Sequence, residues 1–313
     1  MTSFGITNAP APARLTVGIV SGGRVGTALG EALERVGHVV ASCSAVSAAS
    51  VARVGTRLPD TDILPVPEVA ARSELLILAV PDDQLADLVY GLAATHAVKP
   101  GTIVVHTSGA NGIGILAPLS DLGALALAVH PAMTFTGHAE DTARLSSACF
   151  GITAADDVGY AIAQALVLEI GGEPVRVREE NRKLYHAALA HGSNHLVTLV
   201  VDAVEALRAS LEGDELLGQQ LIDGDPGGVA ERVLQPLLSA ALDNALRRGP
   251  SALTGPVARG DAGAVATHLQ VLTQLDPELA AGYHAMSLRS AQRVGAPIEL
   301  FEILADMKGE RRE

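Results

Sequence analysis

The chemistry-bearing residues begin near the start of the chain. Ser21-Gly22-Gly23-Arg24-Val25-Gly26 lies between the apolar run LTVGIV and TALGEALERVG, where Val25, Ala28, Leu29, Leu33 and Val36 keep helical spacing. A buried strand feeding a Gly-rich turn that opens a helix is the context of a dinucleotide-binding fingerprint. Gly23 would let the backbone approach a pyrophosphate and Gly26 would let the helix pack on the strand, while the helix start offers unpaired N–H groups to the phosphates. The usual first glycine of that pattern is Ser21 here, which makes the turn at some cost in conformational freedom. The second signal lies in the following strand. A site for NAD places an acid at its end, ~20 residues after the glycines, to hold the ribose 2′-hydroxyl. Residues 39–47 contain none, and the next acid is Asp60. Ser42 and Ser44, with Arg24 or Arg53 nearby, suit a 2′-phosphate, so NADP(H) is expected over NAD(H). The same serines also suit capping of the next helix.

Further polar groups sit where apolar runs end. His106, Thr107 and Ser108 close the run 103–107, and His130-Pro131 closes 125–130. Loops at the carboxyl ends of strands face the ligand crevice of such a sheet, which makes Thr107 a cofactor contact and Ser108 and His130 substrate contacts. A hydrogen-bonded histidine that merely closes a loop is the competing reading for both rings. Later, in residues 181–194, Lys183, Ala187, Ala190 and Asn194 fall within about 40° of one another at about 100° per residue. One helix face thus carries a cation and an amide separated by methyl-sized groups, with Ser193 beside the amide and His186 about 60° away. His191 and His195 have i, i+4 spacing, but His-Gly-Ser-Asn-His lacks the intervening Glu and a third ligand, so no metal is expected. Arg259, central in the polar loop expected over 253–261, suits a substrate carboxylate bidentately, or else pairs with Asp261 at a helix start. Tyr283, His284 and Met286 read mainly as packing.

The elements that must position these groups follow from periodicity. Short runs rich in Val, Leu and Ile at 15–20, 39–42, 75–80, 103–107 and 125–130 alternate with helix-like stretches. Fully buried parallel strands look like this, and the alternation implies an α/β, doubly wound, mostly parallel sheet. Strand-like pieces at 148–153 and 175–178 flank a helix at 157–170 and finish it. Beyond Arg178 every segment reads as helix: 181–207, 229–246, 262–275, 277–293 and 297–307, with Asp276-Pro277 and Gly295-Ala296-Pro297 as punctuation. The expected organisation is a disordered tail over 1–13, a dinucleotide-binding Rossmann domain over 14–178 and an all-helical substrate and dimerisation domain over 179–313. The breaker-rich LIDGDPGGVAER, 221–232, reads as a flexible loop.

Composition excludes other classes. The 313 residues suit two domains, and the 48% hydrophobic fraction is built on 52 Ala with four Phe, four Tyr and no Trp. With a net charge of -13 the chain lacks the basic stripe and stacking aromatics of a nucleic-acid binder. No apolar run approaches the ~18 residues of a membrane span and no leader pattern opens the sequence, so a cytoplasmic protein is expected. Cys43 and Cys149 have no metal or redox spacing and read as small hydrophobes. Lysine occurs only at 99, 183 and 308, which draws attention to Lys183.

With VGIVSGGRVGTAL, LLILAVPDDQL, VVHTSGA and AVHPAMTF, the first half resembles the 6-phosphogluconate-dehydrogenase superfamily, which includes ketopantoate reductases, pyrroline-5-carboxylate reductases and prephenate dehydrogenases. YHAALAHGSNHL and ALTGPVARGD resemble a subfamily in which a Rossmann-like domain precedes a helical domain of unknown function. The resemblance runs from Leu15 over nearly the whole chain and implies an NADP(H)-dependent oxidoreductase acting on a small oxo acid or related carbonyl, with ketopantoate-type chemistry the most concrete form. It implies that Ala79, Val80 and Pro81 lie along the cofactor beside Ser21, Gly22, Gly23, Arg24, Val25 and Gly26. It also implies that the helix of Lys183 brings a donor to the substrate carbonyl, where a cation or acid must meet developing negative charge; Lys183, His186 and Asn194 are the candidates. The relatives place Asn four residues after the Lys, where this chain has Ala187. His130-Pro131 resembles the His-Pro of prephenate dehydrogenases, which keeps prephenate-like or imine reduction as an alternative, and a cofactor-binding sensor without turnover is the other. Helical second domains of this superfamily dimerise, so a homodimer is implied.

Overall fold

The structure, a computed structural model, describes residues 14–211 and 228–306. The expected tail over 1–13 and most of the expected loop over 221–232 lie outside the described residues; the last four residues of that stretch open a helix. Two compact units divide the chain, Met1–Ala190 and His191–Glu313.

In the first unit an eight-stranded sheet runs in the order β3-β2-β1-β4-β5-β6-β7-β8, with β1 Thr16–Val20, β2 Val39–Ser44, β3 Asp62–Ile63, β4 Leu75–Leu78, β5 Ile103–His106, β6 Leu125–Pro131, β7 Cys149–Ala154 and β8 Glu173–Arg176. Every pairing is parallel except β6 with β7. The connecting helices are α1 Arg24–Arg35, α2 Ala48–Arg57, α3 Val66–Arg72, α4 Asp82–Ala94, α5 Ala117–Ser120, α6 Glu140–Leu145 and α7 Asp157–Glu169. Strand β4 shows why its sequence is continuously apolar. Successive strand residues point to opposite faces, and Leu75 and Ile77 enter one core while Leu76 and Leu78 enter the other. Phe150 is the largest apolar side chain that is fully buried, so the interior is close-packed from aliphatic residues. The fold is the α/β doubly wound sheet expected. The two-residue β3 escaped expectation because so short an edge strand has no periodicity to detect.

Helix α8, Arg182–Ser210, contains the division between the units. Its first residue explains why the first two turns go with the sheet: the Arg182 guanidinium is 1% exposed and hydrogen-bonds to β6 and β7. The second unit is all helical among the described residues, with α9 Val229–Arg248, α10 Gly255–Arg259, α11 Ala262–Leu275, α12 Pro277–Val294 and α13 Ile298–Asp306. Val265, Leu269, Ala291, Leu300 and Leu304 form its core. The segment 253–261 is corrected from loop to short helix. Pro256 supplies a preset φ in the first turn of α10 and Gly260, at φ 71°, stops it in the left-handed region. Among the described residues, no helix is long and apolar enough to cross a membrane.

Candidate functional site

The Gly-rich turn joins β1 to α1 as its sequence suggests. Gly23 is the N-cap of α1 with extended φ and ψ and no side-chain cap, and the first turn holds no acid. The helix start is therefore free to receive an anion. A Cβ on Gly23 would have only Ser21 Oγ near it, at 3.3 Å, so the backbone is bare toward the cleft. A Cβ on Gly26 would lie 2.3 Å from the Ser21 carbonyl oxygen and 2.9 Å from Ile19 Cγ2, which is the close helix approach anticipated for that glycine.

Ser21 takes the left-handed conformation, φ 83°, that a glycine would adopt freely. The turn is held in it by Ser44, whose Oγ accepts the Ser21 N–H at 3.0 Å and whose carbonyl accepts the Gly22 N–H at 2.7 Å. Left-handed backbone costs a residue with a Cβ about 1–2 kcal/mol, part of which glycine returns through its freer unfolded chain. Ser21→Gly should raise stability by about 0.5–1 kcal/mol, read as a higher urea midpoint at unchanged slope. A lower midpoint would mean that the Ser21 side chain holds the turn.

The cleft beside this turn has a volume of about 710 Å³ and is lined by the turn itself, by Ser44, Ser47, Ser50 and Arg53 on the β2–α2 side, and by Val80 and Gln84 at the end of β4. Arg53 is half-buried and donates to the Gly22 carbonyl at 3.3 Å; exposed Arg24 donates to the Phe135 carbonyl at 3.4 Å. Ser47 caps α2, accepting the Ser50 N–H at 3.1 Å. Among the described lining residues the cleft wall carries two guanidiniums and four serines and no carboxylate. Ser42 stands apart: it is fully buried inside β2, its Oγ is without a partner, and it does not line the cleft. Ala79 and Thr107 are half-buried at neighbouring strand ends, and Thr107 donates its N–H to the Leu78 carbonyl at 3.2 Å. Pro81 is exposed and is the N-cap of α4.

A second group of side chains gathers where β5 and β6 end. His106 is completely buried, accepts the Ser108 N–H on Nδ1 at 3.2 Å and reaches the Gly112 carbonyl from Nε2 at 2.9 Å. Those partners require the neutral ring with its proton on Nε2, and burial together with the Arg182 charge pulls its pKa down to about 4. His106 therefore closes a loop. Ser108, also buried, accepts from the Asn111 backbone and side chain at 3.1 and 3.0 Å. His130 is half-buried, its Nδ1 lies 3.0 Å from Tyr185 Oη, and its ring stands edge-on to both Tyr185 and His186. Burial, the Arg182 cation and His186 pull its pKa down to about 4 as well. Gly109 makes this assembly possible, because a Cβ there would sit 2.8 Å from His186 Cδ2 and 2.9 Å from His130 Nε2.

The face that α8 turns toward the sheet differs from the one singled out by Lys183. Arg182 is buried and Tyr185, His186 and Leu189 are half-buried, at i, i+3, i+4 and i+7 spacing. Lys183 and Ala187 are exposed, and Lys183 makes no hydrogen bond or ion pair among the described residues. The same periodicity, anchored on Arg182, would have found Tyr185. Ser193, Asn194 and Arg259 belong to the second unit and are exposed there; Ser193 Oγ donates to Asn194 Oδ1 at 3.0 Å. Asp261 caps α11 by accepting the Ala264 N–H at 3.0 Å. His191 and His195 face each other, Nδ1 to Nδ1, at 2.8 Å. Among the described residues no three His, Cys, Asp or Glu side chains come together to hold a metal ion.

Comparison with known proteins divides the chain earlier than the boundary between the two units, between residues 131 and 148. Residues 1–131 match the Rossmann-like domain, and residues 148–290 match a domain of unknown function, DUF2520. No protein of curated function matches. Similar solved structures include the candidate NADP oxidoreductase BF3122 from Bacteroides fragilis, 19% identical over 89% of this chain and 98% of that one, with a TM-score of 0.72. Protein TM1727 from Thermotoga maritima is 20% identical over 90% and 98%, with a TM-score of 0.61. Plasmodium falciparum pyrroline carboxylate reductase, solved with NADP bound, is 10% identical over 90% and 98%, with a TM-score of 0.53.

Proposed function

We propose that this chain, a Rossmann-like domain followed by a DUF2520 domain, is an NADP(H)-dependent oxidoreductase that reduces a small oxo acid or related carbonyl, with ketopantoate the first substrate to try. The observation that carries the reading is the cleft at the start of α1, which combines an uncapped helix N-terminus, a bare glycine backbone and a wall of serines and arginines without a carboxylate. Those residues fit a phosphorylated dinucleotide: the turn and the α1 N–H groups would hold the pyrophosphate, and Ser44, Ser47 and Arg53 the 2′-phosphate. The bound cofactor would supply hydride. The chain must then orient the carbonyl and protonate its oxygen. His106 and His130, with Tyr185 of α8 beside His130, lie at the carboxyl ends of β5 and β6, the end of the sheet where doubly wound folds bind ligands. Lys183, His186 and Asn194 remain the donors suggested by the family resemblance, and Arg259 a carboxylate partner. The exposed apolar side chains of α8 and α9, among them Leu196, Val197, Leu237 and Leu246, support a homodimer.

Calorimetric titration tests this reading first. NADPH should bind, and NADH should bind at least about tenfold more weakly, because losing a charge-assisted contact is worth about 1.4 kcal/mol or more. Arg53→Gln should weaken NADPH by about that factor and leave NADH unchanged. Absence of binding at millimolar NADPH would overturn the proposal. NADPH binding without turnover of ketopantoate, other oxo acids or cyclic imines would favour the sensor, a reading to which the Ser21 and Ala187 departures lend support.

A further inference from the structure

We propose that Tyr185 is the proton donor of the reduction, with His130 behind it and the buried Arg182 guanidinium as the positioning residue that makes the phenol able to give its proton up. This inference rests on the oxidoreductase reading and replaces Lys183 as the donor.

The geometry begins with an unusual charge. Arg182 donates from Nε to Thr153 Oγ1 at 2.7 Å and from Nη2 to the Ala128 and Gly151 carbonyls at 2.9 and 3.0 Å, all neutral acceptors. Its Nη1 is buried and has no partner. Arg182 makes no ion pair among the described residues, and Glu179, whose charge acts on it, already accepts the Ile113 and Gly114 N–H groups at 2.8 and 3.0 Å. Burial lowers the pKa of the guanidinium, but arginine starts so high that the group keeps its charge through the range in which a phenol ionises. A buried cation without an ion-pair partner is costly in the resting protein and gains when an anion forms beside it. The group beside it is Tyr185: the guanidinium carbon is 5.8 Å from the centre of the phenol ring.

The phenol is half-buried and its oxygen packs against β7, where a Cβ on Gly151 would lie 2.6 Å away. Burial raises the Tyr185 pKa and the Arg182 charge opposes that rise. The resting group is therefore a protonated phenol whose anion has a cation waiting. With its proton on Nδ1, His130 donates to Tyr185 Oη across the 3.0 Å contact, and the phenolic hydrogen is left to point at a substrate. When the carbonyl oxygen receives the electron pair of its broken π bond, it takes the Tyr185 proton and the Oη–H bond breaks. The phenolate is neutralised by the His130 Nδ1 proton while Nε2 takes one from solvent, which leaves a neutral phenol and a neutral ring in its other tautomer, and exchange with solvent returns the proton to Nδ1. Lys183, exposed on another face of α8, has no part in this chain of groups.

The absence of tryptophan makes the test direct, since the tyrosinate absorbance of Tyr185 is read against only three other tyrosines. The difference between the alkaline titrations of the full-length protein and of Tyr185→Phe isolates Tyr185. Arg182→Gln should move that step up by about one pH unit or more, and Arg182→Lys, which keeps the charge, should move it much less. A Tyr185 step at the same pH in Arg182→Gln and wild type overturns the proposal. Should neither Arg182 variant fold, His130→Phe, a ring without a donor, serves instead: loss of the Nδ1–H donor should also raise the step, and an unmoved step overturns it. In NADPH oxidation with ketopantoate, Tyr185→Phe should lose kcat by about 100-fold or more at unchanged NADPH affinity, a larger loss than in Lys183→Ala. The reverse pattern would return the role to Lys183. Failure of wild-type protein to bind NADPH sinks the oxidoreductase reading and leaves the titration to be read on its own.

Discussion

Gly26→Ala should destabilise the first unit by about 2 kcal/mol and weaken NADPH binding about 100-fold, a loss near 2.7 kcal/mol, although alanine is the better helix former by about 1 kcal/mol. The sign reverses because the new methyl carbon would sit 2.3 Å from the Ser21 carbonyl oxygen, a backbone atom at the centre of the Gly-rich turn. The methyl carbon is fixed to the α1 backbone, so either the helix lifts from β1 or the turn moves. Either shift displaces the N–H groups offered to the pyrophosphate and disturbs the Ser44 contacts that hold the turn. Gly55→Ala is the control: this glycine lies in α2 and a Cβ there would meet nothing within 4 Å. That variant should gain about 0.5–1 kcal/mol and bind NADPH normally. Equal behaviour of the two variants in urea unfolding and calorimetry would show that the close approach of α1 to the turn does not control the cleft.

The contrast between these two helical glycines shows what a sequence discloses. Apolar runs such as LLIL and IVVH announce buried strands because both neighbours in each run face a core, and the Gly-rich turn is legible because its geometry is local. NADP-type side chains were also partly legible: Ser44 lines the cleft, whereas Ser42, two residues earlier, points into the interior of the same strand. A shift of two residues along a largely buried strand leaves no mark in composition. The α8 cluster was harder. Lys183 attracted attention by its rarity, but which side of a helix faces a sheet depends on partners from distant strands. Here Thr153, Ala128 and Gly151 receive Arg182 and thereby turn Tyr185 and His186 inward. Gly109 belongs to the same class: its need to lack a side chain is set by two histidine rings from elsewhere in the fold.

Acidification should unfold this protein in a window above the range where its carboxylates titrate, and two histidines set that window. His106 and His130 both have ordinary values of 6.5 and are held near 4 in the folded chain, chiefly by burial. Below pH 6.5 the unfolded chain takes up protons at these positions and the folded chain does not, so the unfolded state binds more protons and stability falls as pH falls. The loss per ring grows by about 1.4 kcal/mol per pH unit and levels off once the folded ring also protonates near pH 4, at about 3 kcal/mol. Two rings together approach the whole stability of an ordinary domain, about 5–15 kcal/mol. Glu31 and Asp141 act at lower pH: the Arg57 contacts on Glu31 and the backbone N–H groups on Asp141 outweigh their burial and keep both below the usual carboxylate range, so their contributions disappear only in stronger acid. Urea unfolding between pH 7 and 4.5 should therefore show a slope approaching two protons. His106→Gln, which keeps a donor for the Gly112 carbonyl and cannot be protonated, should reduce that slope by about one proton and leave the chain more stable than wild type at pH 4.5 relative to pH 7. Equal slopes in the two proteins would mean that the His106 ring is protonated in the folded state. The Ser108 N–H would then have lost its acceptor, and the loop carrying Ser108 and Gly109 would owe its position to something other than a neutral imidazole.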